Sequence, residues 1–447
     1  MIAFNGVLNS WLILAKNVLF AAFAASAAFW DSNNSEFFSS RLIRAFLSFR
    51  WDSSFKSLEV FLCFKYFLKV YAESEIKIGI ILGFTGPIES LAPVMAKSAE
   101  LAISEVNQTG IFMNGNNKIV GIRADSTCVD SAAAQAAAER LITSDKVSAI
   151  MGPDCSGVTT AVLKNVAMPN GILMISPSAT SPALSTEPDN DLFFRTSPSD
   201  ARQGEVIAEL LIENGFKSAA LTHTNNDYGK GLAESIKTNY QAKGGIITIT
   251  ASHEDGKGDY SSEVAALAQA SGDILIVAGY LDQGGKGIIQ ASLDADAFTK
   301  FFLPDGMIGD SLPKAIGPDL NGSIGSVPGT DSPGAAKYSE LAKANGFDSG
   351  PYGPESYDAA ALIMLAMEAS KSIDSNIFKK NIMDIANAPG EKIYPGELGK
   401  ALKLIKEGKQ IDYVGATALE FVGSGESSGS FAEILIDNGK VNKVGYR

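Results

Sequence analysis

A chain of 447 residues, 46% of them hydrophobic, is long enough to bury the cores of two domains. Its net charge of −13 and the lack of any basic stripe exclude a nucleic-acid partner, because phosphate binding needs clustered Lys and Arg. His223 and His253 are its only histidines, which leaves little for a His metal site or a His general base, and three cysteines make no disulfide scaffold although two can pair.

The first 74 residues differ from the rest. All three Trp and half of the 24 Phe lie there, with one Gly and no Pro. The stretch 11–30 is apolar but broken by Lys16 and Asn17, which fits a secretory signal with a cleavage site near Ala27 better than a membrane span. A second cleavage pattern, Val70-Tyr71-Ala72, stands just before the globular part. We expect an export signal, an upstream segment translated from a wrong start, or both in 1–74, and a mature protein in the periplasm.

From residue 75 the pattern turns regular. "IKIGIILGF" is a β-branched run ending at "TGP", and "SLAPVMAKSAELAISEVNQTG" repeats apolar residues at helical spacing up to Gly110. "KIVGIRADST", "VSAIMG" and "ILMISPS" predict further strands, separated by the Ala-rich helix "SAAAQAAAERLITSD" and by a helix after Cys155. Continuous apolar strands alternating with helices mean a parallel sheet covered on both faces. "FFRTSPSDARQG" breaks the rhythm as a crossover, and the alternation restarts through "SAALTHT", "IITITAS", "DILIVAGY" and "FTKFFLPDG". A third part starts near Ser326 and contains the helical "SYDAAALIMLAMEASKSI"; the tail reads as a hairpin around Asn438-Gly439.

Ligands of open α/β sheets sit outside the carboxyl ends of the strands. In "IMGPDCSG", Ser156 opens a helix, where backbone N–H groups favour an anion, or it serves only as a cap. "ISPSATSPAL" presents Ser178, Ala179 and Thr180 at the next strand end, as a second part of an anion cradle or as a turn held by hydroxyls. In the second α/β unit Tyr228, Tyr280 and Asp305 follow strands, and a carboxylate with aromatic rings suits an ammonium group. Together the two sets complement a zwitterion. Cys128, in "ADSTC", and Cys155 follow consecutive strands, whose ends can bring Cα atoms within disulfide reach if adjacent, and we favour a disulfide over free thiols in an exported protein. No nucleophile elbow, P-loop, C-x-x-C, H-E-x-x-H or EF-hand pattern occurs, so no catalytic residue, metal or cofactor is expected.

Taken as a set, "IKIGIILGFTGP", the "STC" and "GPDCSG" cysteines, "ILMISPSATSPAL", "NDYGKG", "AGY", "LPDG" and "SYDAAAL" resemble the leucine/isoleucine/valine-binding proteins of ABC importers. The resemblance covers nearly all of 75–447. It implies the type I periplasmic binding protein fold: α/β, with two doubly wound parallel-sheet lobes joined by three hinge crossovers. The expected division is lobe 1 at 75–196 and 327–413, and lobe 2 at 197–326 and 414–447. By motif position, Ser156, Ser178, Ala179 and Thr180 would hold an α-carboxylate, and Tyr228 and Tyr280 would face the ligand. Asp305, where relatives more often carry Glu, would pair the α-ammonium. The two cysteines match a family disulfide. Relatives tend to carry an aromatic in the loop after "TGP"; here Glu89 and Leu91 become the specificity candidates, with Glu89 either in the pocket or solvated. The expected function is a monomeric receptor delivering an amino acid to a membrane permease. The alternative is a free-standing sensor of the same fold for an amide, urea or aromatic acid.

Overall fold

A computed structural model describes residues 74–115 and 117–447, and the export-signal reading of the N-terminal segment lies outside them. The described residues form one compact unit. Strands β1 (Ser74–Leu82), β2 (Asn117–Asp125), β3 (Ala149–Met151), β4 (Met174–Ser176) and β5 (Phe193–Pro198) alternate with helices α1 (Ala92–Thr109), α2 (Ser131–Thr143) and α3 (Ser156–Val162). The segment around Phe193 is thus a fifth strand, and the crossing follows it at Ser199. In the second lobe α4 (Asp200–Glu213), β6 (Ser218–Thr224), α5 (Asp227–Ala242), β7 (Ile246–His253), α6 (Ser261–Ala270), β8 (Ile274–Ala278), α7 (Gly284–Asp294), β9 (Phe301–Leu303) and β10 (Ile324–Pro328) repeat the alternation.

The chain then returns to the first lobe with α8 (Pro333–Ala344), α9 (Gly353–Ser370), the small pair β11 (Glu391–Ile393) and β12 (Ile411–Tyr413) around α10 (Leu398–Lys406), and the short β13 (Phe421–Val422) and β14 (Glu426–Ser427). The C-terminal hairpin β15 (Phe431–Asp437) and β16 (Lys440–Tyr446) closes the second lobe. The sheets order as β13-β14-β5-β4-β3-β1-β2 and β16-β15-β10-β9-β8-β6-β7. Each has a parallel centre and an antiparallel outer edge. Strand order reverses beside β1 in one sheet and beside β6 in the other, so the loops diverge there and leave room for a ligand.

One boundary differs from expectation. The second lobe does not resume at 414: β14 pairs with β5, and the third crossing falls at 428–430. Two-residue strands in a Gly/Ser-rich run carry no periodicity from which pairing could be read. The crossings are bound together, for Gly329 N donates to the Ser430 carbonyl at 3.0 Å and Ser430 Oγ donates to the Gly329 carbonyl at 2.8 Å. Gly429 has φ +39°, and a Cβ there would meet Pro198 of the first crossing at 2.7 Å.

Helix α9 is apolar around most of its circumference, and accordingly it is buried between α1 and the first-lobe sheet. It still carries three acids, of which Glu368 accepts from Met113 N at 2.6 Å. Asp358 is fully served, accepting from Tyr413 Oη, Thr417 Oγ1 and the N–H groups of Ala416 and Thr417. Glu355 keeps a buried Oε2 without a partner. Cys128 and Cys155 are disulfide-bonded, with Cα atoms 5.2 Å apart and a sequence separation of 27. Closing a loop of that length contributes about 3 kcal/mol by the chain-entropy relation. Replacing both cysteines by Ser is expected to lower the unfolding free energy in urea by about that amount; an unchanged urea midpoint would contradict it.

Candidate functional site

Loops from both lobes converge on a cavity lined by Ile88, Leu91, Asp154, Cys155, Ser156, Ser178, Tyr228, Tyr280, Asp305, Gly306 and Tyr352. Six of the residues singled out in the sequence as contacts, Leu91, Ser156, Ser178, Tyr228, Tyr280 and Asp305, stand on this wall.

The first-lobe side is built on Asp154, which is buried just after β3. Its carboxylate accepts from Gly83 N at 2.6 Å, Ser126 Oγ at 3.0 Å and Cys155 N at 3.1 Å, drawing together the ends of β1, β2 and β3. Burial raises its pKa to about 6, against the pull of these donors. The disulfide staples the same strand ends. Ser178 Oγ donates to the Asp154 carbonyl at 2.9 Å. Ser156 Oγ accepts from Ser181 N at 3.1 Å, which leaves its own proton for another acceptor. Ala179 and Thr180 are buried but lie behind the wall. The Ala179 carbonyl is taken by Arg195, which also donates to the Ser181 carbonyl and Ser185 Oγ and pairs with Glu426 of β14. Arg195 thereby fixes the whole Ser178–Ser185 loop.

The second-lobe side centres on Asp305, fully buried after β9. Tyr228 Oη donates to its Oδ1 at 2.7 Å, and Tyr352 Oη donates to its Oδ2. Tyr228 stacks on Tyr280 with centroids 5.2 Å apart. Gly306 allows this approach, since a Cβ there would sit 2.6 Å from the Gly279 carbonyl oxygen and 2.8 Å from Tyr228 Oη. Burial raises the Asp305 carboxyl and all three phenols.

Tyr352 precedes α9 and so comes from the first lobe; its bond to Asp305 spans the cleft. It has φ +58°, a left-handed conformation costly for a side chain of this size. The sequence reading missed it, although an aromatic set between Pro351 and Gly353-Pro354 is the signal that would have found it. Asp154 was missed for a similar reason, because a turn aspartate after Gly-Pro looks like any other.

Glu89 is exposed at the rim and takes no part in the cavity. The turn after Gly86 directs Ile88 and Leu91 inward, and the charged side chain between them stays hydrated. Asp125 pins the start of this turn, accepting from Thr85 Oγ1 at 2.6 Å. The rim is closed across the lobes. Asp282 N donates to the Pro87 carbonyl at 3.1 Å, its Oδ2 accepts from Ser90 N at 2.9 Å, and its Oδ1 accepts from Ser311 Oγ at 2.7 Å. Leu91 lies against the second lobe at Gly309.

Two lobes around a buried cavity with apolar and polar walls define a clamp for a small molecule. The sequence profile of periplasmic binding proteins matches residues 75–390. Among relatives, Leu/Ile/Val-binding protein homolog 1 of Brucella melitensis is 30% identical over 325 residues, 72% of this chain and 84% of its own. Two solved structures share the fold. The leucine binding protein LivK of Thermotoga maritima has TM-score 0.69 at 20% identity, covering 83% of this chain and 98% of its own. A solute binding protein from R. palustris in complex with benzoate has TM-score 0.66 at 19% identity, covering 83% and 96%. The chain belongs to the periplasmic binding protein family, among the Leu/Ile/Val-binding proteins.

Two predictions follow from this geometry. Asp154 and Asp358 are raised to about 6 and Glu355 to about 8, all by burial. A raised carboxyl contributes stability that is full below its unfolded value and is lost as pH climbs through its folded value. The unfolding midpoint is therefore expected to fall between pH 5 and pH 9, and Glu355→Gln to flatten the part above pH 7; a midpoint that rises across this range would contradict it. Asp282→Ala removes the side-chain bond from Ser90 N that crosses the rim and is expected to speed ligand dissociation about fivefold in stopped flow, at about 1 kcal/mol per bond. An unchanged rate would remove the rim from the closing mechanism.

Proposed function

We propose that this protein captures an amino acid between its lobes and hands it to the membrane permease of an ABC importer, acting by binding and not by chemistry. One observation carries the reading: the cavity between the lobes has the Ser156 and Ser178 hydroxyls at one side, where Asp154 is occupied by Gly83, Ser126 and Cys155, and the buried Asp305 carboxylate, 1% exposed, at the other, with no lysine or arginine on its wall. A carboxylate in that position calls for a cation. On this reading Ser156 and Ser178 serve the ligand's carboxylate, while Ala179 and Thr180, behind the wall, do not touch it. Asp305 receives the ammonium; an ionised carboxylate has about four lone-pair sites and keeps room beside its two tyrosine donors.

The apolar wall of Ile88 and Leu91 favours a small aliphatic side chain. Names of relatives agree, since the Brucella protein is a Leu/Ile/Val-binding homolog. The disulfide suits an exported protein, and we place the mature chain in the periplasm as a monomer. The competing reading, a sensor or receptor for an amine-free acid, draws on the benzoate-bound relative but leaves Asp305 without a cation.

A thermal-shift screen of the common amino acids, with benzoate, urea and simple amides beside them, tests the reading, because ligands of the closed form raise the midpoint by mass action. Leucine, isoleucine or valine should raise it. Asp305→Ala should weaken the best ligand by roughly 2–5 kcal/mol, at least about 30-fold. A shift with benzoate alone, or unchanged affinity in the variant, would overturn it.

A further inference from the structure

The turn between β2 and α2 runs through two adjacent residues of positive φ, Thr127 at +58° and Cys128 at +67°. Thr127 is the only β-branched residue with a positive φ among the described residues, and its crowded Cβ makes that conformation costly. Turns usually give such φ values to Gly, Asn or Asp. A Thr and a Cys persist there only where the surroundings hold them. Part of the hold is local: Thr127 N donates to Asp125 Oδ1 at 2.9 Å, and Asp130 N donates to Thr127 Oγ1 at 3.1 Å. The peptide joining the two residues has a longer bond of its own, from Cys128 N to Ser126 Oγ at 3.3 Å. Its other attachment is the disulfide.

Neither Thr127 nor Cys128 lines the cavity, but both touch the segments that do. The Thr127 carbonyl oxygen lies 2.4 Å from where a Cβ on Gly86 would stand, so the Gly86 backbone rests directly on it. Cys128 Cβ is 3.1 Å from the corresponding position at Gly83. The loop that starts at these glycines carries Ile88 and Leu91 into the cavity. It also presents the Pro87 carbonyl and Ser90 N to Asp282 across the rim. On the other side Cys128 is bonded to Cys155, which stands on the cavity wall immediately before Ser156. The turn thus connects the apolar wall of the first lobe with its hydroxyl wall.

We propose that Thr127 is a positioning residue of the ligand site: the Cys128–Cys155 bond keeps the Thr127–Cys128 turn left-handed, and the turn sets where the loop of Ile88 and Leu91 stands over the cavity. Without the bond, the turn relaxes toward negative φ and the Thr127 carbonyl leaves Gly86. Ile88, Leu91 and the Ser90 end of the rim then lose their fixed places. The consequence for ligand affinity rests on the amino-acid reading of the cavity; the consequence for the loop does not.

Amide hydrogen exchange of the ligand-free protein and titration calorimetry with L-leucine test this on three forms. They are the wild type, Cys128→Ser/Cys155→Ser, and that double variant with Thr127→Asn added. Asparagine accepts a positive φ more readily than threonine and keeps an acceptor for Asp130 N. In the double variant, exchange across residues 83–91 should quicken and leucine binding should weaken, each about tenfold, the factor a strained residue of this kind carries. Adding Thr127→Asn should restore most of both, which a bond serving stability alone would not allow. Wild-type exchange or affinity in the double variant, or a loss that Thr127→Asn does not restore, overturns the proposal. If the double variant does not fold, Gly86→Ala with the disulfide intact decides, because its Cβ displaces the same contact. Exchange across 83–91 should quicken there too, and wild-type exchange overturns the proposal. A wild type that binds no leucine fails the amino-acid reading, and the exchange rates still decide this one.

Discussion

A carboxylate placed in a protein interior must be given donors, and at Asp305 those donors come from both sides of a cleft. Tyr228 on the second lobe serves one oxygen and Tyr352 on the first lobe serves the other. Opening the lobes removes Tyr352 and admits water to replace it. The electrostatic demand of one buried group is thereby linked to the position of a whole lobe. Neighbouring features support this contact: Gly306 leaves space for the Tyr228 hydroxyl, and Tyr280 holds the ring by stacking.

The first-lobe side of the cavity has the opposite character. Asp154 gathers three strand ends, the Cys128–Cys155 bond staples two of them, and Arg195 fastens the Ser178–Ser185 loop to β14. These partners are all within one lobe, so this surface keeps its shape whether the clamp is open or closed. The three crossings join the lobes, with Ser430 hydrogen-bonded to Gly329 and Gly429 passing close over Pro198. A rigid receiving face with a mobile counterpart limits the ordering that ligand capture requires.

Much of this was legible in the residues. Uninterrupted apolar strands such as Ile78–Leu82 and Ile274–Ala278 announce a parallel sheet covered on both sides, and the residues after them line the cavity, as Ser156, Tyr228, Tyr280 and Asp305 do. What escaped depends on distance in sequence or on backbone conformation. Tyr352 reaches Asp305 from a left-handed position ahead of a helix in the third part of the chain, and nothing local marks that reach. Glu89 and Ile88 are adjacent, and a turn alone decides which faces inward. The last crossing was misplaced because β13 and β14 are two residues each and owe their existence to pairing with each other and with β5.

The central claim is the orientation of a zwitterion in the closed cavity. A crystal structure of the protein with its best-stabilising amino acid tests it directly. The account requires the ligand carboxylate within hydrogen-bond distance of Ser156 or Ser178 and the ammonium on the Asp305 side, with the side chain against Ile88 and Leu91. A ligand bound in the reverse sense, or outside this cavity, would contradict it.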